Sequence, residues 1–276
     1  MRLNAYLPTS ISLSGHTQGL GIAAGVVEIC IDQPQLYFKV CTQQQINPFK
    51  PFVLKNCYRG LGVSCANMGG LTGLQFWLSG MIQKAITGGE DRALTASEEM
   101  GSALLGGMIS GVPCATMELI MTQQMRYGTG ITATPAKIVS ETGITGLLRG
   151  NVMSVGREGV FTLGYLGVGP ALETYCTKAQ GMSKGTAAIT GAIGGGVLAS
   201  LLSHPMDTIK TCMQGDIQRE RYGSILQTGS KLYAEGGVGA FYRGAGWRTS
   251  RLICLVGIIN GIKEPIAKVL YPHHFK

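Results

Sequence analysis

The chain has 276 residues, enough for one large domain or two small ones, and a formal net charge of +8. Charged residues make up only 14%, against about 25% in soluble domains, and 42 residues are glycine, a mixture that serves helices packing closely in lipid better than a water-covered surface. Lysine and arginine are scattered along the chain and not gathered on one face, which argues against nucleic acid and for anionic lipid or an anionic solute as partner.

The first fifteen residues lack the charged-then-apolar order of a secretory signal, and they are not a long Arg- and Ser-rich leader. The apolar segment Gly19 to Ile31 is therefore expected to belong to the mature fold. From there, six segments of membrane-spanning length are predicted over 17–42, 59–84, 97–125, 149–174, 186–213 and 243–268. None is an unbroken apolar run. Each carries polar residues at helical spacing, as expected of helices with one face toward a water-filled cavity and another toward lipid. Shorter amphipathic stretches, Ala136–Glu141 and Ser224–Glu235, are expected to lie along the membrane surface.

The six segments form three copies of one unit. The third copy reads Pro205-Met-Asp207-Thr-Ile-Lys210, then Tyr242-Arg243-Gly244. The first reads Pro34-Gln-Leu36-Tyr-Phe-Lys39, then Tyr58-Arg59-Gly60. The second reads Thr116-Met-Glu118-Leu-Ile-Met121, then Leu148-Arg149-Gly150. Glycine precedes the Pro, Thr, Pro series by nine positions each time, at Gly25, Gly107 and Gly196. The spacing between copies is 82 and 89 residues by this series and 90 and 94 by the Arg-Gly series, so independent markers keep step. The organisation is one domain over 1–276, with repeats at 11–88, 97–180 and 185–270.

Pro-x-[Asp/Glu]-x-x-[Lys/Arg] followed by an aromatic-basic-Gly triplet, three times over, resembles the mitochondrial carrier family along roughly 15–270. The resemblance implies an all-α membrane fold: six transmembrane helices in three pseudo-symmetric repeats, with short surface helices, around a central cavity. It implies a multi-pass protein of the mitochondrial inner membrane that moves a small charged metabolite by alternating access. Pro34, Thr116 and Pro205 take the places where odd helices bend. Thr116, lacking the ring, is expected to bend its helix by bonding back to a carbonyl one turn earlier, with Pro113 nearby as a further source of bend. The family's acid-to-base bridges between repeats, carried over, pair Glu118 with Lys210, Asp207 with Lys39, and Leu36 with Met121 as a matrix gate. The missing acid and missing base are thus partners, and no buried charge is left alone.

The resemblance puts substrate contacts seven residues past each triplet glycine, at Asn67, Arg157 and Arg251, with Glu158 beside Arg157. An Arg-acid pair there goes with amino-acid-like substrates in the family, and Arg251 would hold a carboxylate or phosphate. Arg157 and Glu158 satisfying each other or neighbouring helices is the structural alternative. Glu28 and Asp32, one turn apart, are further cavity candidates or second partners for Lys39 or Arg251. Arg59–Gly60, Arg149–Gly150 and Arg243–Gly244 are implied cardiolipin sites.

The chain departs from the family at the far ends of the even helices, where Ser79–Gln83, Gly169–Glu173 and Lys263–Ala267 keep only Glu264 of the usual charged pattern. The first inter-helix loop is also short and lacks the acid-Gly element of the other copies. These losses support an alternative: a carrier-fold accessory subunit of a larger inner-membrane complex, such as a respiratory or ATP synthase assembly, without transport. The eight cysteines show no CxxC pair and are expected to be reduced, and His16, His204, His273 and His274 form no metal-ligand cluster with them. The run Gly19 to Ala24 imitates a dinucleotide loop without a βαβ unit around it. No cofactor, metal site or enzyme is expected.

Overall fold

The computed structural model describes residues 15–50, 52–90, 92 and 94–270, without the side chains at 15–24, 72, 75, 76, 96, 165, 166 and 259–270. His16, Glu264, His273, His274 and the side chains of the Gly19–Ala24 run lie outside the described set. Everything described is helix or connection. The helices are α1 Gly15–Gln43, α2 Leu54–Cys57, α3 Leu61–Ile86, α4 Ala96–Tyr127, α5 Ala133–Thr142, α6 Asn151–Leu163, α7 Gly169–Ala179, α8 Lys184–Gly215, α9 Ile225–Phe241 and α10 Ala245–Leu270. A π-helical turn, Gly164–Val168, joins α6 to α7, and a 3₁₀ turn, Ile144–Leu148, precedes Arg149.

The six predicted spans fall on α1, α3, α4, α6–α7, α8 and α10. Among the described residues, two helical stretches, Ser97–Tyr127 and Lys184–Gly215, are long and apolar enough to cross a membrane by length and composition. α1 and α10 carry more charge, including Glu28, Asp32 and Lys39 on one and Arg248 and Arg251 on the other. The long helices form a closed ring: α1 on α3, α3 on α4, α4 on α6, α6 and α7 on α8, α8 on α10, and α10 back on α1.

Caps and glycines fix this ring. Thr95 and Glu98 form a reciprocal capping box at the start of α4, and Ser224 and Gln227 do the same for α9. Gly60, Gly150 and Gly244 each start an even helix in the left-handed conformation, with φ of 79, 79 and 80°. A Cβ on Gly60 would meet Met121, one on Gly150 would meet Lys210, and one on Gly244 would meet the Lys39 carbonyl at 3.1 Å. Each triplet glycine therefore packs on the motif's basic position in the next copy, and the third packs back on the first. Small residues also let α7 and α8 touch through their backbones: a Cβ on Gly195 would lie 2.6 Å from the Gly169 Cα.

Pro34, Pro113 and Pro205 all lie inside continuous helices. Thr116 does not bond back along α4 as expected. Its hydroxyl donates to the Leu147 carbonyl at 3.3 Å, because the segment leading into α6 lies within reach. The same device appears in the other copies one position earlier: Gln33 Nε2 donates to the Arg59 carbonyl, and His204 Nε2 pairs with the Arg243 carbonyl, both at 3.0 Å. The motif thus ties each odd helix to the start of its own even helix.

Candidate functional site

A buried ion cluster lies where the odd helices meet. Lys39 Nζ on α1 is 2.8 Å from Asp207 Oδ2 on α8, and Lys210 Nζ on α8 is 3.2 Å from Glu118 Oε2 on α4. Leu36 and Met121 share one buried apolar cluster with Tyr37, Val40 and Met125. Six carried-over positions are thus brought to one level of the bundle. Two contacts are charged and one is apolar.

The cluster contains more than the motif supplied. Arg157 Nη2 donates to Glu118 Oε1 at 2.6 Å and to the Glu158 carboxylate, and its Nε lies 3.7 Å from Asp207 Oδ1. Arg157 is only 9% exposed. Three carboxylates hold the guanidinium, and Glu158 is one of them, which is the alternative of Arg157 satisfied by its neighbours. Cys114, Glu118 and Glu158 offer donor atoms within 4.8 Å of one another, and the cation they surround is this guanidinium.

Two cluster residues were not anticipated. Arg248 on α10 donates to Ser203 Oγ at 2.8 Å, lies 3.9 Å from Asp207, and stacks its guanidinium over Phe161. The other copies have Ser64 and Ser154 at its repeat position, so periodicity gave no signal for it. Gln43 Nε2 donates to Asp207 Oδ2 at 2.9 Å. Its place was visible in the sequence, since Gln43 and Gln214 sit nine past Pro34 and Pro205.

A second polar group joins α1 to α10. Arg251 Nη2 donates to Glu28 Oε1 at 3.1 Å. Asp32 lies within hydrogen-bonding reach of Glu28 and accepts from Gln35 at 3.3 Å, and Gln35 in turn accepts from Ser250 at 2.9 Å. Asn67 on α3 stands beside the Cys114 thiol, and its Oδ1 is buried without a hydrogen-bond donor. Of the four proposed solute ligands, then, Asn67 and Arg251 retain unused bonding capacity, and Arg157 and Glu158 belong to the ion cluster.

Among the described residues, two of the three triplet arginines have partners for their side chains. Arg149 is buried, and its guanidinium donates to the Met213, Tyr222 and Gly223 carbonyls, so its side chain is not the anion ligand the sequence suggested. Arg243 donates to Glu235 at 2.9 Å, and the Arg59 guanidinium lies against Gly128. What remains for an anion is the Arg59 side chain and the backbone N–H groups at the helix starts. An open groove of about 440 Å³ beside the start of α10 is lined by Thr42, Tyr242, Trp247, Ser250 and the main chain of Gly244–Gly246. Outside the bundle, burial raises the Glu235 pKa, but hydrogen bonds from Arg221 and Arg243 outweigh it and hold the carboxyl below its usual range. The eight cysteines are free thiols.

A ring of six long helices in three repeats, tied by ion pairs between odd helices at one level, defines the architecture of a membrane solute carrier. The mitochondrial carrier protein family model matches residues 182–274, the third repeat. Similarity extends along the whole chain: an uncharacterized mitochondrial carrier of Schizosaccharomyces pombe is 26% identical over 285 residues, covering 96% of this chain and 97% of the relative. Mitochondrial tricarboxylate transporter 1 of Mycosarcoma maydis is 27% identical, covering 91% and 93%, and the mitochondrial glycine transporter YMC1 of Saccharomyces cerevisiae is 25% identical, covering 82% of each. The chain is thus similar to mitochondrial carriers over nearly its whole length, and its third repeat matches their family model.

Proposed function

We propose that this chain is a multi-pass carrier of the mitochondrial inner membrane that moves a small charged metabolite, of amino-acid or carboxylate type, by alternating access. The observation that carries the proposal is the pair of bridges Lys39–Asp207 and Glu118–Lys210, each joining the acid of one repeat to the base of the next. Such contacts close one end of a ring and can be broken together when the three repeats rotate. Arg157 and Arg248 reinforce that closure through Glu118 and Asp207. Solute binding supplies the differential free energy that opens the end, since a ligand shifts only equilibria between states it binds unequally.

Arg251 is the proposed anchor for a solute carboxylate, and Asn67 a neutral contact. The amide-rich starts of α3, α6 and α10, at Gly60, Gly150 and Gly244, are proposed cardiolipin sites that act through backbone N–H groups and helix dipoles. Reconstitution into liposomes with labelled amino acids and carboxylates tests the reading. Uptake is expected, and Arg251→Ala should abolish it. Uptake unchanged by that substitution would remove Arg251 from the site.

One observation favours the accessory-subunit reading. At the other end of the even helices Gln83 meets Ser102 at 3.2 Å, and among the described residues no ion pair joins α3 to α7 there. Failure of the intact protein to take up any solute, together with co-purification of a large assembly, would favour that reading.

A further inference from the structure

The Glu28–Asp32–Arg251 group has an imbalance that a structural ion pair does not need. Glu28 is 0% and Asp32 1% exposed, yet among the described residues only one guanidinium serves the two carboxylates. Among the described residues, Glu28 Oε2 and Asp32 Oδ2 are buried without a hydrogen-bond donor, and Arg251 Nε is buried without an acceptor. Buried polar atoms are nearly always satisfied, and a buried carboxylate oxygen without a donor is costly. The Arg251 side chain is 28% exposed and so can be reached.

We infer that Glu28 and Asp32 form the cation half of the solute site, and that the solute is an α-amino acid bound as its zwitterion. The inference rests on the carrier reading above. An anionic and a cationic group in contact, each with unused bonding capacity, is the complement of a carboxylate and an ammonium separated by one carbon. Binding would exchange the Arg251–Glu28 pair for two new pairs, Arg251 with the solute carboxylate and Glu28–Asp32 with its ammonium. The net charge of the buried site is unchanged by that exchange, apart from the solute's zero. A tricarboxylate at the same place would bring its negative charges against two carboxylates sharing one cation, which is repulsive at short range.

The test uses the full chain in proteoliposomes with labelled α-amino acids, their hydroxy-acid counterparts (glycine against glycolate, alanine against lactate) and citrate. At least one amino acid should be taken up roughly 10- to 100-fold faster than its hydroxy-acid counterpart, because a site built around an ammonium leaves its carboxylates unpaired with the analogue. Glu28→Gln and Asp32→Asn should each lower that uptake about tenfold or more and narrow the preference. The same contrast should appear in the thermal shift of the wild-type protein in detergent, which requires no variant to fold. Uptake of citrate or hydroxy acids equal to that of amino acids would overturn the inference and leave the carrier reading standing. Carboxylate uptake that depends on an imposed proton gradient and is abolished by Asp32→Asn would assign the pair to a proton instead, with the same consequence. No uptake of any solute would overturn both.

Discussion

Asp207 is the residue on which most charge converges. Lys39, Lys210, Arg157 and Arg248 all lie within 4 Å of its carboxylate, at 2.8, 3.1, 3.7 and 3.9 Å. Removing one member of a buried ion group costs more than removing both, because the survivor is left unpaired. Asp207→Asn should therefore destabilise the protein by about 3–5 kcal/mol in detergent unfolding, and adding Lys39→Gln should recover part of that loss, a coupling of about 0.5–3 kcal/mol. Strictly additive losses would show that the pair is not a unit. Glu235 gives a pH prediction with the opposite setting, at the surface. Its folded pKa is depressed by Arg221 and Arg243. Its stabilisation is thus complete above the ordinary carboxylate pKa and fades as pH falls toward the depressed value. Melting temperature should decline below about pH 5, and Glu235→Gln should flatten that acid limb; a limb unchanged in the variant would assign the decline to other groups.

At the scale of elements, the even helices begin on glycines that no other residue replaces cheaply. Gly244→Ala forces a side chain into φ +80° and a Cβ to 3.1 Å from the Lys39 carbonyl. A left-handed non-glycine residue costs about 1–2 kcal/mol, before any movement of Lys39. Gly70 lies within α3 with nothing near its missing Cβ, so Gly70→Ala should be neutral or stabilising by about 0.5–1 kcal/mol. Thermal melts of the two variants should separate in sign. The element-level plan was legible because the Gly, Pro/Thr and Arg-Gly markers keep step, and their period placed every long helix within a few residues. What could not be read were contacts off that period. Arg248 replaces a serine of the other copies, and Thr116 has a choice of acceptors that only the position of Leu147 decides. Arg157 was named from its register, but register cannot say that Glu118 lies 2.6 Å away on another helix. Side-chain partners between helices depend on rotation about the helix axis, which a repeat motif does not specify.

For the whole molecule, the ring closes because each repeat offers the next a similar surface, and the break in symmetry among its three odd-helix contacts is informative. Two of the three contacts between odd helices are ion pairs, and the third is the apolar meeting of Leu36 and Met121 within one buried cluster. An apolar contact replaces an ion pair at little cost when both charges are lost together, whereas one alone is an uncompensated buried charge. Leu36→Glu and Met121→Lys should each lower the melting temperature, by about 3–5 kcal/mol of stability, because each leaves a buried charge alone, and in the double variant the two charges pair and most of that loss should be recovered. The function follows from the same geometry. A third bridge strengthens the closed end without touching the proposed solute site, so the open state becomes rarer by tenfold for each 1.4 kcal/mol, approximately, that the new pair adds. The double variant should therefore be more stable than either single variant yet transport more slowly than the wild type. Uptake that rises in the double variant would mean that these helix ends do not form the gate.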